Sequence, residues 1–308
     1  MNKIAIAIHG GAGADSEFIR KHKKEYESGL KKAVHAGYTI LEQGGKAVDA
    51  VEAAVNSLED NPLFNAGKGS ALNERAEIEM CASIMDGQSL NSGAAAIVKN
   101  VRNPVSLAKT IMEKTRHVYL GATLASEFAK SLKMPMEPDS YFVTEHQFEA
   151  YEKVRTKESM DGLEVAAEEL RQKHGTVGAV ALDKKGNLAA GTSSGGTEFC
   201  KAGRIADSSM VGIGTYADNE SCAISTTGDG EELMKHIAAF HIAALLKYKK
   251  LTLQKAADYF LKEKLKNSQS DIGLVGVDRR GNIVATFNCE RMHRAWKGDR
   301  QPLQVNIY

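Results

Sequence analysis

TVGAVALDKKGNLAAGTSSGG, residues 176–196, is the stretch on which the reading of the fold turns. Two runs of small and β-branched residues flank Asp183-Lys184-Lys185-Gly186-Asn187, and turn residues of that kind between two apolar runs are the chemistry of a hairpin. A pair of buried antiparallel strands is therefore expected. The same design recurs at Ile272 to Val277, Asp278-Arg279-Arg280-Gly281-Asn282, and Ile283 to Phe287. Immediately before the first hairpin the texture is different. Residues 149–175, EAYEKVRTKESMDGLEVAAEELRQKHG, are charged and poor in large apolar side chains, the mark of an exposed linker or a loosely docked helix within the changed texture that runs from Met134 to His174.

Working outward, Ile4 to Ile8 reads as a short buried strand that runs into the glycine loop His9-Gly10-Gly11-Ala12-Gly13. Helices are predicted over Arg20 to Gln43, ended by Gly44-Gly45, and from Lys46 onward, where Val48, Val51, Ala54, Val55 and Leu58 recur at helical spacing until Asn61-Pro62. Strands follow at Glu77 to Ile84 and Gly93 to Val98, then helical stretches at Val105 to Met112 and Leu120 to Leu132. Between the hairpins, Glu231 to Tyr248 and Leu253 to Leu265 are helical. Hairpins in both halves with paired helices between them predict an α+β protein of two packed antiparallel-type sheets flanked by helices. No repeat period is present.

A chain of 308 residues with 43% hydrophobic and 26% charged residues has ample material for a large core, which excludes a disordered chain. Forty basic residues against 39 acidic ones leave a formal charge of +1, so no global field draws the chain to nucleic acid or anionic lipid. Small-molecule chemistry is the expectation. The basic runs Lys21 to Lys24 and Lys247 to Lys250 lie in helical patterns and read as solvated faces. Cys81, Cys200, Cys222 and Cys289 are far apart and form no C-x-x-C pair, which argues against a zinc or redox centre. With no signal-peptide core in MNKIAIAIHGGAG and no run near the roughly 20 apolar residues of a membrane span, a soluble cytoplasmic protein is expected.

The chemistry concentrates at Gly175-Thr176. A threonine hydroxyl is a weak nucleophile without a base, but a chain-terminal threonine carries its own α-amine, with a pKa of about 7.7–8.0. Cleavage before Thr176 creates nucleophile and base together, and Gly175 leaves its carbonyl open to attack by the hydroxyl. Taken alone, Gly-Thr at the head of a strand is equally the plain start of that strand. The surroundings decide.

They comprise HGGAG at 9–13, GGKAVDAVEAAV at 44–55, LEDNPLFNAGKGSALN at 58–73, ASIMDG at 82–87, HGTVGAVALD at 174–183, GRIAD at 203–207 and STTGDGE at 225–231. In this order and over nearly the whole chain, they resemble the plant-type asparaginase and isoaspartyl peptidase family of N-terminal nucleophile hydrolases. The resemblance implies a four-layer αββα sandwich that cuts itself into fragments 1–175 and 176–308 within one compact domain. It implies that Thr176 is the nucleophile and that Ser194 stands where relatives usually have a threonine bonded to it, a methyl lighter but with the same hydroxyl. Arg204 then pairs with the substrate's α-carboxylate, Asp207 and the Gly230 carbonyl with its α-ammonium, and Thr227 with the Gly228 N–H forms the oxyanion hole. Asn65 helps to hold the nucleophile's terminus. Main-chain carbonyls of Leu58, Glu59, Asn61, Phe64, Ala66 and Lys68 would hold a structural sodium ion, with no organic cofactor. The implied activity is hydrolysis of β-aspartyl (isoaspartyl) dipeptides and L-asparagine by a dimer of two-fragment units.

Other readings compete. Gly11-x-Gly13 after a strand suggests a dinucleotide site, but Ser16 replaces the third glycine and no acidic residue follows a second strand suitably. A binding protein that never processes itself has no need of Thr176, Arg204, Asp207 and Thr227 together. Within the family, the glycosylasparaginases are normally secreted, and the threonine endopeptidases act on proteins.

Overall fold

The computed structural model describes residues 3–161, 175–299 and 301–308. The second half of the charged segment, including Lys173 and His174 of the junction motif, lies outside the described residues. The strands are β1 (Ala5–Gly13), β2 (Met80–Asp86), β3 (Ser92–Val98), β4 (Tyr119–Gly121), β5 (Val177–Leu182), β6 (Leu188–Ser194), β7 (Thr215–Ala217), β8 (Cys222–Gly228), β9 (Ile272–Asp278), β10 (Ile283–Phe287), β11 (Arg291–Gly298) and β12 (Gln301–Asn306). The helices are α1 (Glu17–Lys21), α2 (Lys23–Glu42), α3 (Ala47–Glu59), α4 (Pro104–Lys114), α5 (Ala122–Ser131), α6 (Asp139–Phe142), α7 (Glu145–Asp161), α8 (Gly230–His236), α9 (Ala238–Lys249) and α10 (Leu253–Asp258).

Among the described residues the strands form an eight-stranded sheet, β12-β11-β1-β5-β6-β2-β3-β4, and a four-stranded sheet, β10-β9-β8-β7. Every pairing is antiparallel except β3 with β4. Both expected hairpins are present as β5–β6 and β9–β10.

Successive side chains on a strand point to opposite faces, and this alternation sorts the core. On β1, Ile6 and Ile8 pack with Leu30 and Val34 of α2 and Val51 and Val55 of α3. Ala5 and Ala7 face the other way, against Val180, Leu182 and Ala190 of their own sheet and Ala223, Val275 and Val277 of the second. Beyond the second sheet, Ile224, Ile272 and Leu274 pack on Ala239 and Ile242 of α9 and Leu253 of α10. The chain is thus a mixed α+β structure with apolar interfaces on both sides of each sheet's central strands. Each fully buried Leu, Ile or Val contributes about 1.5–3 kcal/mol.

The departures from the sequence-based expectation are local. The expected helix Arg20 to Gln43 is interrupted at His22, and the helix expected through Leu265 ends at Asp258 and continues as a π-helical turn, Tyr259–Lys264. The helix expected over Glu231 to Tyr248 breaks at Ile237, which adopts φ 48° and ψ 53°. Its cause is tertiary: the N–H groups of Ala239 and Phe240 donate to the carbonyls of Ile213 and Gly212, so a loop caps the re-entry into α9. Strands β11 and β12 extend the large sheet beyond β1 where no strand was expected.

A β-branched residue in the left-handed region is strained by about 1–2 kcal/mol. Ile237 is 52% exposed, so little packing offsets that strain. Ile237→Gly is expected to raise unfolding stability by up to about 1 kcal/mol, after the entropy cost of glycine, in a denaturant titration with an unchanged slope.

Candidate active site

The face of the large sheet that packs on the second sheet changes character along its length. Opposite one another on that face stand Ala7, Val180, Ala190 and Met85, and one row further on stand His9, Gly178, Thr192 and Ser83. Apolar packing gives way there to hydroxyls and an imidazole. From the second sheet, Ser225 reaches into this row: a side chain at Gly178 would strike its Oγ, so only glycine leaves the room. The next step along the same face brings Thr176, just ahead of β5, and Ser194 at the end of β6.

Thr176 is 5% exposed. Its Oγ1 donates to Ser194 Oγ at 3.1 Å, and the Gly196 N–H donates to the same oxygen at 3.0 Å. Ser194 therefore accepts twice, which leaves its own proton to be given elsewhere. The Thr176 carbonyl accepts from His9 Nδ1 at 2.8 Å, and His9 Nε2 lies 2.7 Å from Ser225 Oγ. Burial holds the His9 ring neutral, its pKa lowered to about 3 against the raising effect of the Thr176 carbonyl.

Gly175 packs on Asn65, whose Cβ would lie 3.0 Å from a side chain placed at Gly175. The Asn65 amide is itself fixed, donating to Gly196 O at 2.7 Å and accepting from Ala71 N at 2.8 Å. One residue thus links the bond before Thr176 to the end of β6. On β8, Ala223 lies with Val180, Ser225 lies over Gly178, and by the same progression Thr227 comes level with Thr176. Thr227 Oγ1 is buried with no hydrogen-bond partner among the described residues. Gly228 follows with φ +122° and packs so tightly on Asp271 that its position admits no side chain.

Arg204 and Asp207 meet through Gly230. A side chain at Gly230 would lie 2.6 Å from Asp207 Oδ1 and 2.8 Å from Arg204 Nη2, so the glycine lets the start of α8 touch both groups. Arg204 donates through Nε and Nη2 to the two Glu231 oxygens, at 2.8 and 2.7 Å, a bidentate pair that holds Glu231 below the usual carboxylate range. Asp207 is 3% exposed, and its buried Oδ2 has no hydrogen-bond partner among the described residues. Burial pushes its pKa up to about 7, with Arg204 pulling the other way. Asp229 caps α8 by accepting from Glu232 N.

Thr176, Ser194, Asn65 and Thr227 therefore gather at one end of the inter-sheet face, and Gly230, two residues beyond Gly228, brings Arg204 and Asp207 against the start of α8. His9, Thr192, Ser225 and Glu231 belong to the same constellation and were not singled out from the sequence. Three of them sit inside quoted motifs, but a motif does not reveal which way a strand residue points. In the loop after α3, the Glu59 carbonyl takes the Lys68 N–H at 2.7 Å, and the carbonyls of Leu58, Asn61 and Phe64 also accept backbone N–H groups. A side chain at Gly69 would lie 2.6 Å from Pro62 O and 2.7 Å from Phe64 O, so these oxygens converge on the loop interior. Among the described residues no cluster of His, Cys, Asp or Glu is arranged to hold a metal, and the four cysteines are unpaired. No helix of the described residues is long and apolar enough to cross a membrane.

The chain is similar to known proteins over almost its whole length. The chain is 43% identical over 300 residues to an isoaspartyl peptidase of Salmonella typhimurium, covering 96% of each chain. It is 42% identical to the isoaspartyl peptidase of Escherichia coli, covering 96% of this chain and 93% of that one. It is 40% identical to the human isoaspartyl peptidase/L-asparaginase, covering 95% and 92% respectively. A family model described as asparaginase matches residues 2–307, and the chain belongs to that family.

Proposed function

We propose that the chain cleaves itself before Thr176 and then hydrolyses β-aspartyl (isoaspartyl) dipeptides and L-asparagine through a covalent ester on Thr176. The observation that carries this reading is the Thr176 hydroxyl donating to Ser194 beside a glycine bond. In processing, Oγ1 attacks the Gly175 carbonyl carbon, its proton is relayed by Ser194 Oγ to the Thr176 nitrogen, and the C–N bond breaks to free the Thr176 amine. Water then splits the resulting ester and leaves a carboxylate on Gly175. The released amine becomes the base for the hydroxyl beside it.

In turnover the substrate's α-ammonium satisfies the buried Asp207 Oδ2, and the Gly230 carbonyl assists. Its α-carboxylate takes the edge of Arg204 that Glu231 leaves, on the Nη1 side. The side-chain carbonyl is attacked by Thr176, and Thr227 Oγ1 with the Gly228 N–H receives the oxyanion. The amide nitrogen departs as an amino acid or ammonia, and water resolves the ester. Unpaired buried polar atoms cost about 1–3 kcal/mol each, so a substrate that pairs Asp207 and Thr227 recovers that cost on binding. The activities for which the relatives are named, isoaspartyl peptidase and L-asparaginase, support the same substrate class.

The reading extends to the fold and the assembly. Interfaces from α2 and α3 through both sheets to α9 and α10 support a four-layer αββα sandwich. Fragments 1–175 and 176–308 would remain one compact domain, because β5 pairs with β1 and β6 with β2 across the cut. The converging carbonyls near Gly69 fit a hard cation such as sodium, which would stiffen the loop that carries Asn65. We place the enzyme in the cytoplasm as a dimer of processed units; four unpaired cysteines support a reducing compartment.

Purified protein is expected to run as two fragments on a denaturing gel, with intact masses of 1–175 and 176–308, and to elute as one species under native conditions. Thr176→Ala should stay full length and Ser194→Ala should process more slowly. An uncut wild-type chain inactive on isoaspartyl dipeptides would return the account to an unprocessed homologue, and preference for glycosylated asparagine would move it to the glycosylasparaginases.

Since free Asp207 titrates at about 7, kcat/KM should fall as the pH drops through that value, because the neutral carboxyl no longer holds the ammonium. In kcat only the limb of the Thr176 amine, at about 7.7–8.0, should remain, because bound ammonium keeps Asp207 ionised. A second acid limb shared by kcat and kcat/KM, and unchanged in Asp207→Asn, would reject this role for Asp207.

A further inference from the structure

The β1–β5 ladder ends at Gly10 opposite Val177, one residue short of Thr176. After cleavage Thr176 is a chain end that the sheet itself does not grip, and free rotation there would scatter both its hydroxyl and its amine. What grips it is the His9 ring, fully buried and hydrogen-bonded on both edges. A carbonyl only accepts, so Nδ1 carries the proton to Thr176 O, and the bare Nε2 accepts from Ser225 Oγ. Ser225 lies 2.7 Å from Thr192 Oγ1, to which Thr215 Oγ1 donates at 2.6 Å, and Ser83 Oγ stands 2.9 Å from Thr215. The carbonyls of Gly214 and Ser208 compete for the protons of Thr192 and Ser83, at 2.9 and 2.6 Å. Four strands of two sheets thus contribute hydroxyls to a chain that ends on the ring.

We propose that His9 is a positioning residue for the nucleophile: clamped by Ser225 in its Nδ1–H tautomer, it holds the Thr176 carbonyl and so aims the terminal threonine at substrate. This rests on the assignment of Thr176 as nucleophile. The ring takes no proton from substrate and touches no reacting atom. Its contribution is orientation, where a small misplacement costs on the order of a hundredfold in rate. The glycine at position 178 belongs to the same device, since any side chain there would displace Ser225 from the ring.

The test uses the two amide mimics of histidine on the full chain. Asn at position 9 places its nitrogen near that of Nδ1 and keeps the donor to Thr176 O, whereas Gln reaches the Nε2 side and loses it. His9→Gln is expected to lower kcat per processed subunit by about tenfold to a hundredfold with KM within about threefold, and His9→Asn to recover most of the loss. Equal kcat for His9→Gln and wild type would overturn the proposal. Nitrogen NMR of the wild-type histidines reads the clamp without any variant: a resonance pair of the Nδ1–H tautomer, shifted by Ser225→Ala, supports it, and an Nε2–H tautomer overturns it. A wild type that neither processes nor turns over would instead defeat the assignment of Thr176, a result distinct from an active wild type that is indifferent to His9.

Discussion

Two sheets packed face to face must fill the space between them with whatever their alternating side chains present, and the site depends on that constraint. Along most of the face the residues are small and apolar, Ala5, Ala7, Val180, Ala190 and Ala223 among them, and they let the sheets approach closely. At one end the same positions become His9, Thr192, Ser83, Ser225 and Thr215, all buried. Polar groups survive there because each finds a partner across the gap, and a one-residue slip of any strand would turn them into the helix layers. The register that builds the core therefore also aims the chemistry.

The proposed chemistry sits where this polar end meets the start of β5. Thr176 arrives with its hydroxyl on Ser194 and its carbonyl on His9, so both rotatable ends of the residue are anchored before any bond breaks. Thr227 Oγ1 and Asp207 Oδ2, two of the buried atoms left without hydrogen-bond partners among the described residues, are ones that the proposed substrate pairs. Preorganisation of this kind places the cost of burial on the folded protein and returns it on binding.

Much of this was legible in the chain. The β5–β6 hairpin announced itself through Asp183 to Asn187, whose turn residues leave few alternatives, and Asp183 accepts from the N–H groups of both Lys185 and Asn187 in the turn. The roles proposed for Arg204, Asp207 and Gly230 came from family resemblance, and the structure adds that Gly230 closely approaches both side chains. Other features had no local signal. Nothing near Ile237 marks a helix break, because the cause is a loop more than twenty residues upstream. His9 looked like the first residue of a glycine loop, although β1 in fact runs on to Gly13, and Glu231 like a first helical turn. Their partners, 167 and 27 residues away, become neighbours only through the fold. Strands β11 and β12 escaped for the same reason: pairing along the outer side of β1 is a tertiary fact, and Pro302 within β12 argues against a strand on local grounds.

The central claim is that the hydroxyl of Thr176 carries the aspartyl group during turnover. Acid-quenching processed protein during hydrolysis of a slow isoaspartyl substrate and weighing the 176–308 fragment tests it directly. The account predicts a fragment heavier by one aspartyl residue, with peptide mapping placing the addition on Thr176. Steady turnover with the adduct on another residue, or with none under conditions where deacylation limits the rate, would contradict it.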